Sequence, residues 1–202
     1  VLPELEACRP GGLASARMPL MKNVVYIGNR ESTPGMLSFR DFIEMGKTVS
    51  DTELNDRMAS LTSDDVINMQ YTSGTTGFPK GVMLTHANIV NNARMVGDVM
   101  GMTEKDSLLI QVPLFHCFGC VMSTLNCVYH GSAMVVVEFF DPDLALQYIT
   151  TEKCTAINGV PTMFISILNA SDFNRYDLTS LRTGIMAGAP CPIEAMNAVR
   201  TK

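Results

Sequence analysis

Tyr71-Thr72-Ser73-Gly74-Thr75-Thr76-Gly77-Phe78-Pro79-Lys80-Gly81 follows directly on an apolar run, Val66-Ile67-Asn68-Met69-Gln70. Glycines let backbone N–H groups come close to an anion, hydroxyls donate further hydrogen bonds, and a lysine adds a mobile positive charge. Thr72, Ser73, Thr75, Thr76 and Lys80, set among Gly74 and Gly77, are therefore the makings of a phosphate cradle. The segment after it, Gly81-Val82-Met83-Leu84, reads as a short extended piece, with a helix opening near Thr85.

Two kinds of cradle compete. A Walker loop needs glycine, four residues, then Gly-Lys-Ser/Thr at the start of a helix. Counted from Gly74, the second glycine position holds Pro79, the residue after Lys80 is Gly81, and an extended piece rather than a helix follows. The Walker reading fails on each point. The stretch instead resembles the signature loop of the adenylate-forming superfamily, which contains acyl-CoA synthetases, luciferases and peptide-synthetase adenylation domains. The resemblance implies that Thr72, Ser73, Gly74, Thr75, Thr76, Gly77, Phe78, Pro79 and Lys80 grip the phosphates of ATP, with Lys80 and Thr76 acting in catalysis.

Two more segments carry the same resemblance. Pro113-Leu114-Phe115-His116-Cys117-Phe118-Gly119 is similar to a marker in which an aromatic or histidine ends a strand beside the acyl carboxylate, which implies that His116 and Phe115 line the acyl side and that His116 takes part in the reaction. Asp177-Leu178-Thr179-Ser180-Leu181-Arg182, followed by Gly184-Ile185-Met186-Ala187-Gly188-Ala189-Pro190, resembles the strand and small turn that form one face of the adenine pocket. A flat purine needs side chains small enough to let it lie on backbone, which suits Gly188, Ala189 and Pro190. Ligands of open parallel sheets bind at the carboxyl ends of strands. Gly101-Met102-Thr103-Glu104 imitates the family's magnesium marker but precedes the His116 strand, where relatives carry a variable connection, so Glu104 is not taken as a metal ligand. The true marker, the ribose-binding aspartate and the mobile C-terminal domain are expected outside these residues.

The implied activity is ATP-dependent conversion of a carboxylic acid to an acyl-adenylate and then, with coenzyme A, to a thioester. An amino-acid substrate would call for an acidic partner, since an unpaired buried cation is costly. None of the residues from Ser107 to Val137 is charged, nor is any in Asn158-Gly159-Val160-Pro161-Thr162-Met163-Phe164. Gly159 and Val160 are expected to line the acyl site, with Gly159 leaving room for an alkyl chain. A fatty acid fits best, and the run resembles medium-chain fatty acyl-CoA synthetases. The cofactors implied are ATP, coenzyme A and Mg2+, the last held by residues elsewhere. A luciferase-like adenylate-forming oxidase and a non-catalytic nucleotide-binding module remain alternatives.

The 202 residues, 47% hydrophobic and 17% charged, indicate a folded domain or part of one. A net charge of −5 without a basic cluster argues against nucleic acid as a partner. Small molecules are the expected partners and the cytoplasm the expected compartment; oligomeric state is left open. The charge-free run invites a membrane span, but Pro113, His116, Asn126, His130 and Gly131-Ser132 divide it into strand, helix and strand. Cys117-Phe118-Gly119-Cys120 has redox or zinc spacing. A zinc site would want a second pair, while Cys8, Cys127, Cys154 and Cys191 are scattered, so reduced thiols are expected.

Strands are predicted at Asp65–Tyr71, Ser107–Val112, Ala133–Val137, Thr155–Asn158 and Thr183–Ala187, mostly as continuous apolar runs typical of a covered parallel sheet. Helices are predicted between them: one with Ile89, Ala93, Val96 and Met100 on a stripe, one capped by Asp141 with Pro142 at its first position, and others opening at Pro161 and near Pro192. The alternation implies an α/β fold, a mostly parallel sheet flanked by helices, as in the N-terminal domain of an adenylate-forming enzyme. Residues 61–202 would form an incomplete nucleotide- and acyl-binding core. Residues 1–60, with one strand (Val24–Ile27) and one helix (Ser38–Lys47), would form a peripheral segment.

Overall fold

A computed structural model of the chain describes residues 2–29, 33–72 and 77–201. It divides into two compact units, Val1–Leu61 and Thr62–Lys202. The first unit holds a 3-10 turn at Pro3–Ala7, a two-residue parallel pair, β1 (Val25–Tyr26) and β2 (Leu37–Ser38), and helices α1 (Phe39–Gly46) and α2 (Asp51–Ala59). Ser38 caps α1 by accepting the Asp41 N–H. The second helix was not foreseen. Its start is a full capping box, in which Ser50 and Glu53 satisfy each other's backbone N–H groups.

The second unit opens with β3 (Val66–Thr72) and β4 (Lys80–Thr85), joined antiparallel, with Thr72 opposite Lys80. The expectation of parallel pairing for the first of these is thus corrected. A short connection can close an antiparallel hairpin, whereas a parallel partner needs a crossover of a dozen or more residues. Both faces of this ribbon are largely exposed, with Val66, Met69, Tyr71 and Met83 all open. Helix α3 (His86–Met100) follows at once, its N-cap Thr85 sharing a box with Asn88 and its end marked by Gly101 in the left-handed region.

The remaining strands, β5 (Ser107–Ile110), β6 (Ala133–Val136), β7 (Ala156–Gly159) and β8 (Thr183–Met186), form one parallel sheet in the order β6-β5-β7-β8. Between β5 and β6 the chain turns and is then helical from Cys117 to His130: α4 (Cys117–Gly119), a π-helical stretch at Cys120–Leu125, and α5 (Asn126–His130). The widened turns have a local cause. Ser123 and Thr124 hydroxyls reach back five residues to the carbonyls of Phe118 and Gly119, each at 2.9 Å. Helices α6 (Pro142–Glu152) and α7 (Pro161–Leu168) connect the next strands, and α8 (Ile193–Thr201) follows β8.

The period-two alternation of β5 divides the core between the two faces of the sheet. Leu108, Ile110 and Val112 pack with Met100, Phe118 and Cys127. Leu109 packs on the other face with Ala145, Leu146 and Ile149 of α6 and Phe164 and Ile167 of α7. The charge-free run is therefore two strands and the helix between them. Among the described residues no helix is long and apolar enough to cross a membrane.

Candidate functional site

Because β5, β7 and β8 are parallel, their carboxyl ends emerge on one edge of the sheet. The chain leaves β5 through Gln111-Val112-Pro113 and turns, with the His116 N–H bonded to the Pro113 carbonyl at 3.1 Å. His116 then caps α4: its Nδ1 accepts the Phe118 N–H at 3.1 Å. A neutral ring with Nδ1 accepting carries its proton on Nε2, so the exposed edge of the imidazole offers a donor. Phe115 beside it is 87% exposed.

β7 ends in buried Gly159, and Val160 leads into α7 with Pro161 at its first position. A β-carbon on Gly159 would lie 3.1 Å from the Gln111 amide nitrogen and 3.2 Å from the Phe164 ring. The space beside Gly159 is thus filled by Gln111 and Phe164 rather than left vacant for a chain. Past β8, the Ala187 N–H donates to the Gly159 carbonyl at 3.2 Å. Gly188 takes φ 88°, where a side chain would be strained, and its α-carbon faces Val160, whose Cγ1 would be 3.2 Å from a β-carbon there. The Cys191 thiol closes this turn by donating to the Met186 carbonyl at 3.2 Å. Ala189 and Pro190 are exposed.

Of the signature loop, Ser73, Gly74, Thr75 and Thr76 lie outside the described residues. Thr72 ends β3 and Lys80 begins β4, directly paired and both exposed; Gly77 has φ 91° with open space on its side-chain side, and Phe78 is 84% exposed. Lys80 has no ion-pair partner among the described residues. The base of the hairpin is tied to the His116 segment, because Leu84 packs on the cluster of Ile89, Ala93 and Val121 that Cys117 and Cys120 also join.

The edge stands on buried polar groups that sequence reasoning did not assign. Asn158, fully buried in β7, accepts the Ile185 N–H of β8 at 3.1 Å and donates to Ser123 Oγ at 3.1 Å and to the Met122 carbonyl at 3.4 Å. Gln111 donates to the Asn158 carbonyl at 3.2 Å. An asparagine inside the apolar run Ala156-Ile157-Asn158 was the available signal, since a buried amide must find partners. All six cysteines are free, and burial pushes the Cys127 thiol up to about 11. Glu104 sits in the turn between α3 and β5, and no cluster of three or more His, Cys, Asp or Glu that could hold a metal occurs among the described residues.

The model of the AMP-binding enzyme family matches residues 21–202. The chain belongs to the AMP-binding enzymes. YngI of Bacillus subtilis (strain 168) is 55% identical over 199 residues, 98% of this chain and 36% of its own length. The medium-chain acyl-CoA ligase ACSF2, mitochondrial, of Mus musculus is 40% identical over 208 residues, 100% of this chain and 34% of its own. Among solved structures, the anthranilate CoA ligase AuaEII in complex with anthranoyl-AMP superposes with a TM-score of 0.76 at 28% identity, over 90% of this chain and 34% of that one. This AMP-binding chain thus spans about a third of the length of the curated relatives it matches.

Proposed function

We propose that the protein containing this chain activates a fatty acid with ATP, giving an acyl-adenylate and pyrophosphate, and then passes the acyl group to coenzyme A. The observation that carries the reading is that the segments bearing His116, Val160 and Gly188 leave the parallel strands β5, β7 and β8 at one sheet edge, with Gly188 against Val160, in a chain of this family. The relatives' names support ligation over the luciferase-like oxidation, because ACSF2 and AuaEII are both named CoA ligases.

In this reading the first step brings a carboxylate against an anionic phosphate. Lys80, Thr72, Ser73, Thr75, Thr76 and the amides of Gly74 and Gly77 offset that repulsion and the charge growing on departing pyrophosphate. The open space beside Gly77 fits close approach of a phosphate to the backbone. His116 offers its Nε2 proton to the acyl carboxylate, with Phe115 and Val160 beside it. Gly188, Ala189 and Pro190 give the adenine a flat seat. Mg2+ would neutralise phosphate charge and is held by residues outside those described. Six free thiols support a reducing compartment, which the cytoplasm and the mitochondrial matrix both provide.

The test is pyrophosphate exchange into ATP by the full-length protein with a panel of carboxylic acids. Exchange dependent on a medium-chain fatty acid, followed by thioester formation with coenzyme A, is expected. Exchange only with amino acids, or with no acid at all, overturns the proposal.

A further inference from the structure

The adenylation reading leaves Cys117 and Cys120 without a task. Their backbone is unusual in a way that concerns the pair. The Cys120 N–H bonds to the His116 carbonyl at 2.9 Å and also to the Cys117 carbonyl, so this turn is closed by an i→i+3 bond as well as an i→i+4 bond. In an i→i+3 turn, side chains three apart lie one above the other. Both thiols accordingly join the same apolar cluster, with Ile89, Ala93 and Val121. Both are only partly buried, and both are reduced. From Cys120 onward the helix widens into its π turns. The Cys117 sulfur also lies 3.7 Å from His116 Nδ1, the nitrogen that accepts the Phe118 N–H. Of the other four free cysteines, Cys127 and Cys154 are buried, and Cys8 and Cys191, though partly buried, stand elsewhere in the chain.

We infer that Cys117 and Cys120 are a redox-active dithiol that a low-molecular-weight disulfide, such as oxidised glutathione, converts to an intramolecular bridge. The thiolate of Cys117 attacks one sulfur of the small disulfide. A mixed disulfide forms and one small thiol leaves. The thiolate of Cys120 then attacks the Cys117 sulfur, releasing the second small thiol. The two protons lost by the protein end on the two departing thiols, and the two electrons go to the small disulfide. The bridge would fix the turn that His116 caps, so the site's proton donor is held in place by a turn that responds to thiol redox state.

The experiment uses the full-length protein in glutathione buffers of graded oxidation, quenched by alkylation and read by peptide mass. Expected is a peptide bridging Cys117 and Cys120, lighter by two hydrogens, that forms in the folded protein and is reversed by reduced glutathione. Cys120→Ser should instead trap glutathione on Cys117, and Cys117→Ser should slow any glutathione adduct at Cys120. The inference is overturned if both thiols stay alkylatable throughout the series in folded protein, or if oxidation joins either of them to a different cysteine. These readouts do not depend on adenylation, so they stand or fall apart from the proposed function.

Discussion

Lys80 begins a strand whose partner residue is Thr72, and the loop between them is the segment that the resemblance assigns to ATP phosphates. A strand start fixes the backbone while leaving the long side chain free to follow a phosphate. Deleting one preorganised donor of this kind typically costs ~10²–10³ in rate. Lys80→Ala in the full-length enzyme should therefore lower the rate of pyrophosphate exchange by that order while thermal stability stays unchanged; wild-type exchange would refute the cradle. Asn158 makes the contrasting case, a side chain that supports the site from beneath. Asn158→Ala would strip the Ile185 N–H and Ser123 of a buried partner, and each orphaned group costs about 1–3 kcal/mol. Urea unfolding should show a loss of that order, with activity at low temperature reduced far less than in Lys80→Ala.

Elements obey rules that the sequence states openly, and they fail to show where neighbours decide. The start of α6 was legible because Asp141 followed by Pro142 is a cap and a first helical residue. Asp141 indeed accepts the N–H groups of Asp143 and Leu144 at 3.0 and 2.9 Å. Asp141→Ala should cost about 1 kcal/mol in urea unfolding. The antiparallel pairing of β3 was misread because its apolar composition resembles that of a covered parallel strand, and composition alone does not report partners. The π turns were likewise invisible, since Ser123 and Thr124 matter only through the carbonyls five residues back. Gly97 in α3 was an unremarked glycine in a helix, yet a β-carbon there would overlap the His130 ring and the Asn126 side chain of α5. Gly97→Ala gains about 1 kcal/mol of helix propensity and loses more to overpacking, typically 1–3 kcal/mol. A lowered midpoint in thermal unfolding is expected, and an unchanged or raised one would mean that α5 shifts freely.

At the scale of the second unit, the edge that carries the candidate site has an opposite edge that holds the sheet together. Asp106, buried just before β5, accepts hydrogen bonds from the Arg182 guanidinium before β8, from Thr155 Oγ1 before β7 at 2.7 Å, and from Thr103 N–H at 2.8 Å. Arg182 also donates to the Gly101 carbonyl at the end of α3. Sequence showed the strand Thr183–Ala187 and its Arg182, but not that the arginine reaches back seventy-six positions to an aspartate, because ion pairs between distant segments leave no periodic trace. Burial works against the charge on Asp106, and the bonds from Arg182, Thr155 and Thr103 outweigh it, so its carboxyl is held well below the usual carboxylate range. A depressed carboxyl adds stability that is complete above its ordinary pKa and is lost as pH falls toward the folded value. Arg182→Ala removes the strongest of these donors and leaves burial to push the carboxyl up; with the guanidinium 43% exposed and screened by water, the cost is about 1–2 kcal/mol at neutral pH. Acid unfolding of the variant should then begin at higher pH than in the wild type, with Arg182→Lys between them. The exposed Asp177, whose carboxyl Lys153 and Thr179 hold low, titrates alike in all three proteins, so it drops out of the comparison. Coincident acid limbs for wild type and Arg182→Ala would show that Thr103 and Thr155 suffice to keep Asp106 charged and that the arginine does not brace the sheet.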